Sequence, residues 1–126
     1  MSPTARTLKK LRDEGWMAGV VEKRNPVTKI LNDYLGCIDI IAVRTGETIG
    51  VQATSVSNQT SRVKKTKATP GAAAWLAAGN RLEIWGWGKR KLKRGSKAVR
   101  WHVTVTPLAI AHLDDPLPAS SEHAGQ

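Results

Sequence analysis

Apolar residues recur every third position through Ala5, Leu8 and Leu11, behind a Ser2-Pro3 start and ahead of Gly15. Serine as N-cap, proline at the first helical position and glycine as a stop predict a helix over residues 3–14. Residues 16–24 read as a strand ended by Asn25-Pro26, and residues 27–35 read as a short helical turn or a loop. Residues 36–43 (GCIDIIAV) form the most apolar strand candidate, and residues 49–54 (IGVQAT) are its partner across a tight turn at Arg44-Thr45-Gly46-Glu47. A helix is predicted over 59–67, and a second begins at Thr69-Pro70 and runs to Gly79. Residues 81–87 and 98–106 read as two more strands, joined by a basic segment, and the chain after Leu113 has the make-up of a frayed tail. Helix, three strands, helix, two strands predicts one α/β or α+β domain over residues 1–113, with a central mixed sheet flanked by helices.

Composition sharpens this picture mainly through charge. The 126 residues hold 20 Lys+Arg against 10 Asp+Glu. Three acids (Asp114, Asp115 and Glu122) follow His112 and no lysine or arginine does, so residues 1–112 carry 20 positive charges against seven acids, +13. Such a domain repels itself, and a polyanionic partner is the natural explanation: DNA or RNA ahead of an anionic membrane or simple solubility. The single cysteine, Cys37, has no disulfide partner in the chain, and no Cys/His spacing suits zinc. The polar N-terminus lacks a secretory apolar segment, and no stretch is long and apolar enough to span a bilayer, so a cytoplasmic protein with no membrane partner is expected.

Asp39 interrupts an otherwise apolar strand. A buried carboxylate without a partner costs several kcal/mol, so a metal ion, a basic group or a wet cleft must compensate it. With the turn centred on Thr45-Gly46, facing residues have numbers that sum to 91. Asp39 then faces Gln52, Ile40 faces Val51, Ile38 faces Ala53 and Ala42 faces Ile49. Alternation puts Asp39, Gln52 and Thr54 on one face and Ile38, Ile40, Ile49, Val51 and Ala53 on the other. A slip of one residue would scramble that sorting. Glu22, near the end of the preceding strand, could add a second carboxylate. Oxygen ligands in a basic protein suit a hard divalent cation, Mg2+ or Mn2+, able to polarise a phosphodiester and activate water. The alternative is a structural acid satisfied by backbone N–H groups or an arginine, with Gln52 as its hydrogen-bond partner. Asp33 is read first as a turn residue and second as an outer ligand.

Seven cations fall between residues 89 and 100 with no acid among them: Lys89, Arg90, Lys91, Lys93, Arg94, Lys97 and Arg100. A hairpin loop of this kind can track phosphates without reading sequence. Five of the six aromatic residues are tryptophan. Trp75 and Trp101 read as core, as do Trp85 and Trp87, although the latter pair could also stack on unpaired bases. His102 carries no assigned role.

The element order, Asp39, the Gln52-Ala53-Thr54 triplet and segments such as Asn32-Asp33-Tyr34-Leu35-Gly36-Cys37-Ile38-Asp39 and Glu83-Ile84-Trp85-Gly86-Trp87 resemble the PD-(D/E)XK nuclease superfamily. The likeness covers about residues 4–106, and is to its small phage and prophage members of the Holliday-junction-resolvase-like or VRR-NUC-like kind. It implies a restriction-endonuclease-like core and a divalent-metal-dependent DNA endonuclease, hydrolysing phosphodiester bonds of branched or otherwise structured DNA. It further implies a prokaryotic or phage-infected cytoplasm and a homodimer. Asp39 matches the family's metal-binding Asp, and Gln52 stands at the (E/Q) of (E/Q)-x-K. Glu14 or Glu22 matches the auxiliary Glu, which makes Glu22, Asp39 and Gln52 the implied metal ligands. Thr54 stands where the family carries its catalytic Lys. Because that Lys can migrate, Lys64, Lys65 or Arg62 on the next helix is implied to supply the charge. Arg62, Lys67 and the hairpin cations are the implied DNA contacts. The departure at Thr54 opens a second reading, a catalytically inactive nuclease-fold protein that binds DNA through the basic hairpin.

Overall fold

The computed structural model describes residues 1–95 and 97–114. Helix α1 (Pro3–Asp13) begins as the capping pattern predicts: Ser2 Oγ accepts the Ala5 N–H at 3.1 Å, and proline occupies the first turn. Strands β1 (Met17–Val20), β4 (Ile40–Arg44), β5 (Glu47–Ser55), β6 (Arg81–Lys91) and β7 (Val99–Leu108) make a five-stranded sheet in the order β1-β4-β5-β6-β7. Helices α2 (Gln59–Lys67) and α3 (Pro70–Ala77) form the crossover between β5 and β6, which is the sheet's parallel pair. Strands β2 (Lys23–Arg24) and β3 (Leu31–Asn32) form a separate two-stranded ribbon. This is the expected α+β domain with a mixed central sheet flanked by helices. No helix among the described residues is long and apolar enough to cross a membrane.

The β4–β5 register is the one the polar/apolar sorting demands: Ile40 pairs with Val51, Ala42 with Ile49 and Arg44 with Glu47. Ile40, Ala42, Ile49 and Val51 pack with Leu11, Trp16, Trp85 and Trp87 beneath α1. On the other face Ile38, Ala72, Trp75, Leu82 and Ile84 pack beneath α2 and α3. Gly86 and Gly88 lie on that second face because a methyl at Gly86 would overlap the Gln59 side chain, and one at Gly88 would press on Val56. The close approach lets Gln59 Nε2 donate to the carbonyls of Ile84 and Thr104, at 3.1 and 2.8 Å, pinning α2 to the hairpin.

Several expectations are corrected. The strand expected over 16–24 breaks at Val21-Glu22, where the chain leaves the main sheet for the ribbon. The segment 27–35 opens on the expected single turn, closed by the Lys29 N–H on the Asn25 carbonyl at 2.9 Å and by Asn25 Oδ1, which accepts the N–H groups of Val27 and Thr28, but it then reverses into β3, which was not expected. The strand expected from residue 36 starts only at Ile40, because Leu35 (φ 56°) and Gly36 (φ 81°) form a tight left-handed turn closed by a Tyr34–Ile38 bridge. That turn sends Ile38 into the α3-side core, not onto the face of Ile40. Trp101 is not core. It is 41% exposed, with the Arg6 guanidinium 3.7 Å from its ring centroid and the Lys89 ammonium 5.4 Å away. The strands of the basic hairpin are longer than expected, pairing out to Lys91 and Val99, so the loop itself is short. The frayed tail expected after Leu113 lies, from residue 115 on, outside the described residues.

Candidate metal centre

Three chain segments converge where β1 leaves the sheet. The Asp39 N–H donates to the Val51 carbonyl at 2.9 Å and its own carbonyl accepts the Val21 N–H at 2.8 Å, so Asp39 is bonded on both sides. Glu22 follows Val21 and is thereby brought beside it. The Tyr34–Ile38 bridge, extended by one pair, sets Asp33 opposite Asp39. Glu22, Asp33 and Asp39 each present a carboxylate oxygen, and the three lie within 4.8 Å of one another. Sequence reasoning supplied Asp39 and Glu22 but ranked Asp33 as a turn residue. It is both, since its carbonyl accepts the Gly36 N–H while its side chain joins the acids. The available signal was the Leu35-Gly36 pair, whose left-handed turn folds Asp33 back on Asp39.

Asp39 is nearly buried, at 4% exposure, and its Oδ2 accepts the Ala53 N–H at 2.8 Å. Burial first, then a hydrogen bond with the Asp33 carboxyl and the charges of Asp33 and Glu22, push its pKa up to about 8 against the opposing pull of Ala53. The free protein therefore keeps a proton on Asp39 at neutral pH. A divalent cation can replace that proton, and three carboxylates supply the oxygen donors that Mg2+ or Mn2+ prefers.

The acids open into a cleft of about 770 Å3. One wall is the N-terminal turn of α1 (Ser2, Thr4 and Ala5), whose partial positive charge favours anions. The other wall is α2, which contributes Arg62 and Lys65. A cation-ready acidic floor between a helix N-terminus and a wall that carries Arg62 and Lys65 can seat a metal ion and a phosphate oxygen side by side.

The remaining expected site residues fall elsewhere. Gln52 is on the Asp39 face and buried, but its Nε2 donates to Asp33 Oδ2 at 3.3 Å and its Oε1 accepts from Thr66 Oγ1 at 3.4 Å. It presents N–H groups to the acids, so it orients Asp33, and a ligand role would require the amide to turn over. Thr54 is buried and is not in the cleft lining. Lys64 and Lys67 are on the opposite flank of α2 and line a second cleft with Thr104 and Thr106, because one helical step of about 100° separates Lys64 from Lys65. Of the candidate cations on α2, only Arg62 and Lys65 reach the acids' cleft. Lys89, Arg90, Lys91, Lys93, Arg94 and Lys97 are all exposed at the far end of β6–β7. Trp85 and Trp87 are core: Trp85 Nε1 donates to Glu83 and Trp87 Nε1 to Thr7, at 2.9 and 2.8 Å. Cys37 is buried and its pKa is raised to about 11, mainly by burial, which makes it inert as a nucleophile.

Comparison with protein-family models, with curated proteins and with solved structures returned no match.

Proposed function

We propose that the protein is a divalent-metal-dependent DNA endonuclease with a restriction-endonuclease-like core. One observation carries this reading: Glu22, Asp33 and Asp39 meet within 4.8 Å on the floor of a cleft whose wall carries Arg62 and Lys65. In this account Asp39, Asp33 and Glu22 hold Mg2+ or Mn2+, which lowers the pKa of a bound water and polarises the scissile phosphate. Lys65 takes the part that Thr54 cannot, placing a positive charge beside the attacked phosphate, and Arg62 holds a non-bridging oxygen. The +13 charge of residues 1–112 supports a polyanionic substrate.

The test is cleavage of labelled linear, single-stranded and four-way-junction DNA with Mg2+ or Mn2+. Metal-dependent cutting by the wild type, lost in Asp39→Ala and reduced at least a hundredfold in Lys65→Ala, is the expected result. Binding without cutting on every substrate overturns it in favour of the second reading, a nuclease fold kept for binding. The Gln52 amide, turned N–H first toward Asp33, is the observation that favours that second reading.

A further inference from the structure

The β6–β7 hairpin has two unlike faces. Residues 86, 88 and 90 and their partners 104, 102 and 100 point to the α2 side, where the glycines leave room. At the free end of that face Arg90 and Arg100 are direct cross-strand partners. Like charges directly opposite on one face are destabilising. Among the described residues the ion pairs use Lys9, Lys10, Arg44 and Arg81, and none uses Arg90 or Arg100. His102, next along the same face of β7, joins the two arginines in lining a recess of about 350 Å3 to which, among the described residues, no carboxylate contributes. Toward the body of the protein the face continues through Thr104 and Thr106 into the cleft lined by Lys64 and Lys67, with Asp114 also on its lining.

We infer that Arg90, Arg100 and His102 form a clamp for a backbone phosphate of nucleic acid, and that Lys64 and Lys67 extend it into a phosphate track on the α2 side of the hairpin. An anion seated between the arginines converts a repulsive pair into a two-sided contact. Guanidinium groups suit this because their N–H forks match phosphate oxygens. Adjacent phosphates continue along the threonine-lined floor toward α2. The track runs on the opposite flank of α2 from Arg62 and Lys65, so α2 lies between the phosphate track and the acidic cleft. The inference rests on the nucleic-acid part of the proposed function but not on its chemistry.

The test is fluorescence anisotropy with a labelled 20-base-pair duplex in EDTA, from 50 to 200 mM salt, on wild type, Arg100→Glu and Arg90→Ala/Arg100→Ala. Each phosphate contact contributes about 0.9 to the slope of log affinity against log salt, so over this fourfold range each lost phosphate contact shrinks the affinity ratio about 3.5-fold. The double variant, which gives up the clamped phosphate, should shrink it about 3.5-fold, and Arg100→Glu should bind more weakly still. Arg100→Glu places opposite charges across the strands, so the free protein should melt at a higher temperature than wild type while binding less. A merely structural pair would show no such opposition. Wild-type slopes in the double variant, or no binding by wild type at 50 mM salt, overturn the clamp. Binding is read in EDTA, where no metal-dependent cutting occurs, so a wild type that binds with this salt slope yet cuts no DNA with Mg2+ bears on the proposed chemistry and not on the clamp.

Discussion

Replacing Asp39 by asparagine should stabilise the free protein above neutral pH, against the usual expectation for a buried polar residue. Asparagine keeps an oxygen for the Ala53 N–H and offers N–H groups to Asp33, while removing the ionisable group. The Asp39 pKa rises from 3.8 to about 8 on folding, so between these values the folded state holds a proton that the unfolded chain has released. Stability from this source is fully present below about pH 4 and is lost as pH rises through 8. At about 1.4 kcal/mol per unit the ceiling is near 6 kcal/mol. The cleft admits water, which screens the charge, so about 2–3 kcal/mol is the expected net loss. Urea denaturation at pH 4.5, 6.5 and 8.5 reads it directly. Wild type should lose stability across the series and Asp39→Asn should be nearly flat, ending about 2–3 kcal/mol more stable at pH 8.5. At roughly 4 °C per kcal/mol that is about 10 °C in Tm. With a dissociation constant on the order of 1 mM, 10 mM Mg2+ restores about 1.4 kcal/mol to wild type and nothing to the variant. A variant less stable than wild type at pH 8.5, with the same pH slope, would refute the reasoning.

Three other outcomes are expected. Gly71→Ala places a methyl against the Leu35 carbonyl oxygen and pushes on the turn that carries Asp33. It should cost about 2 kcal/mol in urea denaturation and weaken Mn2+ binding at least tenfold by calorimetry. Thr7→Val leaves the buried Trp87 N–H without its acceptor and should cost about 1–3 kcal/mol, with DNA binding unchanged. Lys64→Ala should leave any cleavage rate at saturating DNA within about twofold of wild type while lowering the salt slope of binding by about 0.9, because Lys64 faces away from the acids.

Much of the frame was legible because one physical rule left few alternatives. The β4–β5 register followed from sorting Asp39 and Gln52 away from Ile40, Ala42, Ile49 and Val51, and a slip would have buried the wrong set. Helix α2 was legible, though it has few apolar positions, because Asn58 and the following Thr69-Pro70 bound it. The stretch 21–39 was much less legible. Its two-residue strands are too short to show a period, and its shape is set by the Asn25 side chain and the Leu35-Gly36 turn, which act through backbone geometry. Asp33 was therefore undervalued as a ligand. Trp101 failed for a different reason. Its Val-x-Trp-x-Val setting looks buried, but β7 is an edge strand whose outer half runs past the helices, leaving two cations as the tryptophan's neighbours. Lys64 was grouped with Lys65 by proximity in sequence, and a helix separates such neighbours.

The central claim is that Glu22, Asp33 and Asp39 hold one divalent cation. Crystals soaked in Mn2+, with anomalous differences measured near the manganese edge, test it without depending on any substrate. The account predicts one anomalous peak on the cleft floor, about 2.1 Å from a carboxylate oxygen of Asp39 and of at least one of Asp33 and Glu22. Its absence at millimolar Mn2+, with the three carboxylate oxygens still within 4.8 Å of one another, would contradict the account and leave Asp39 a structural acid.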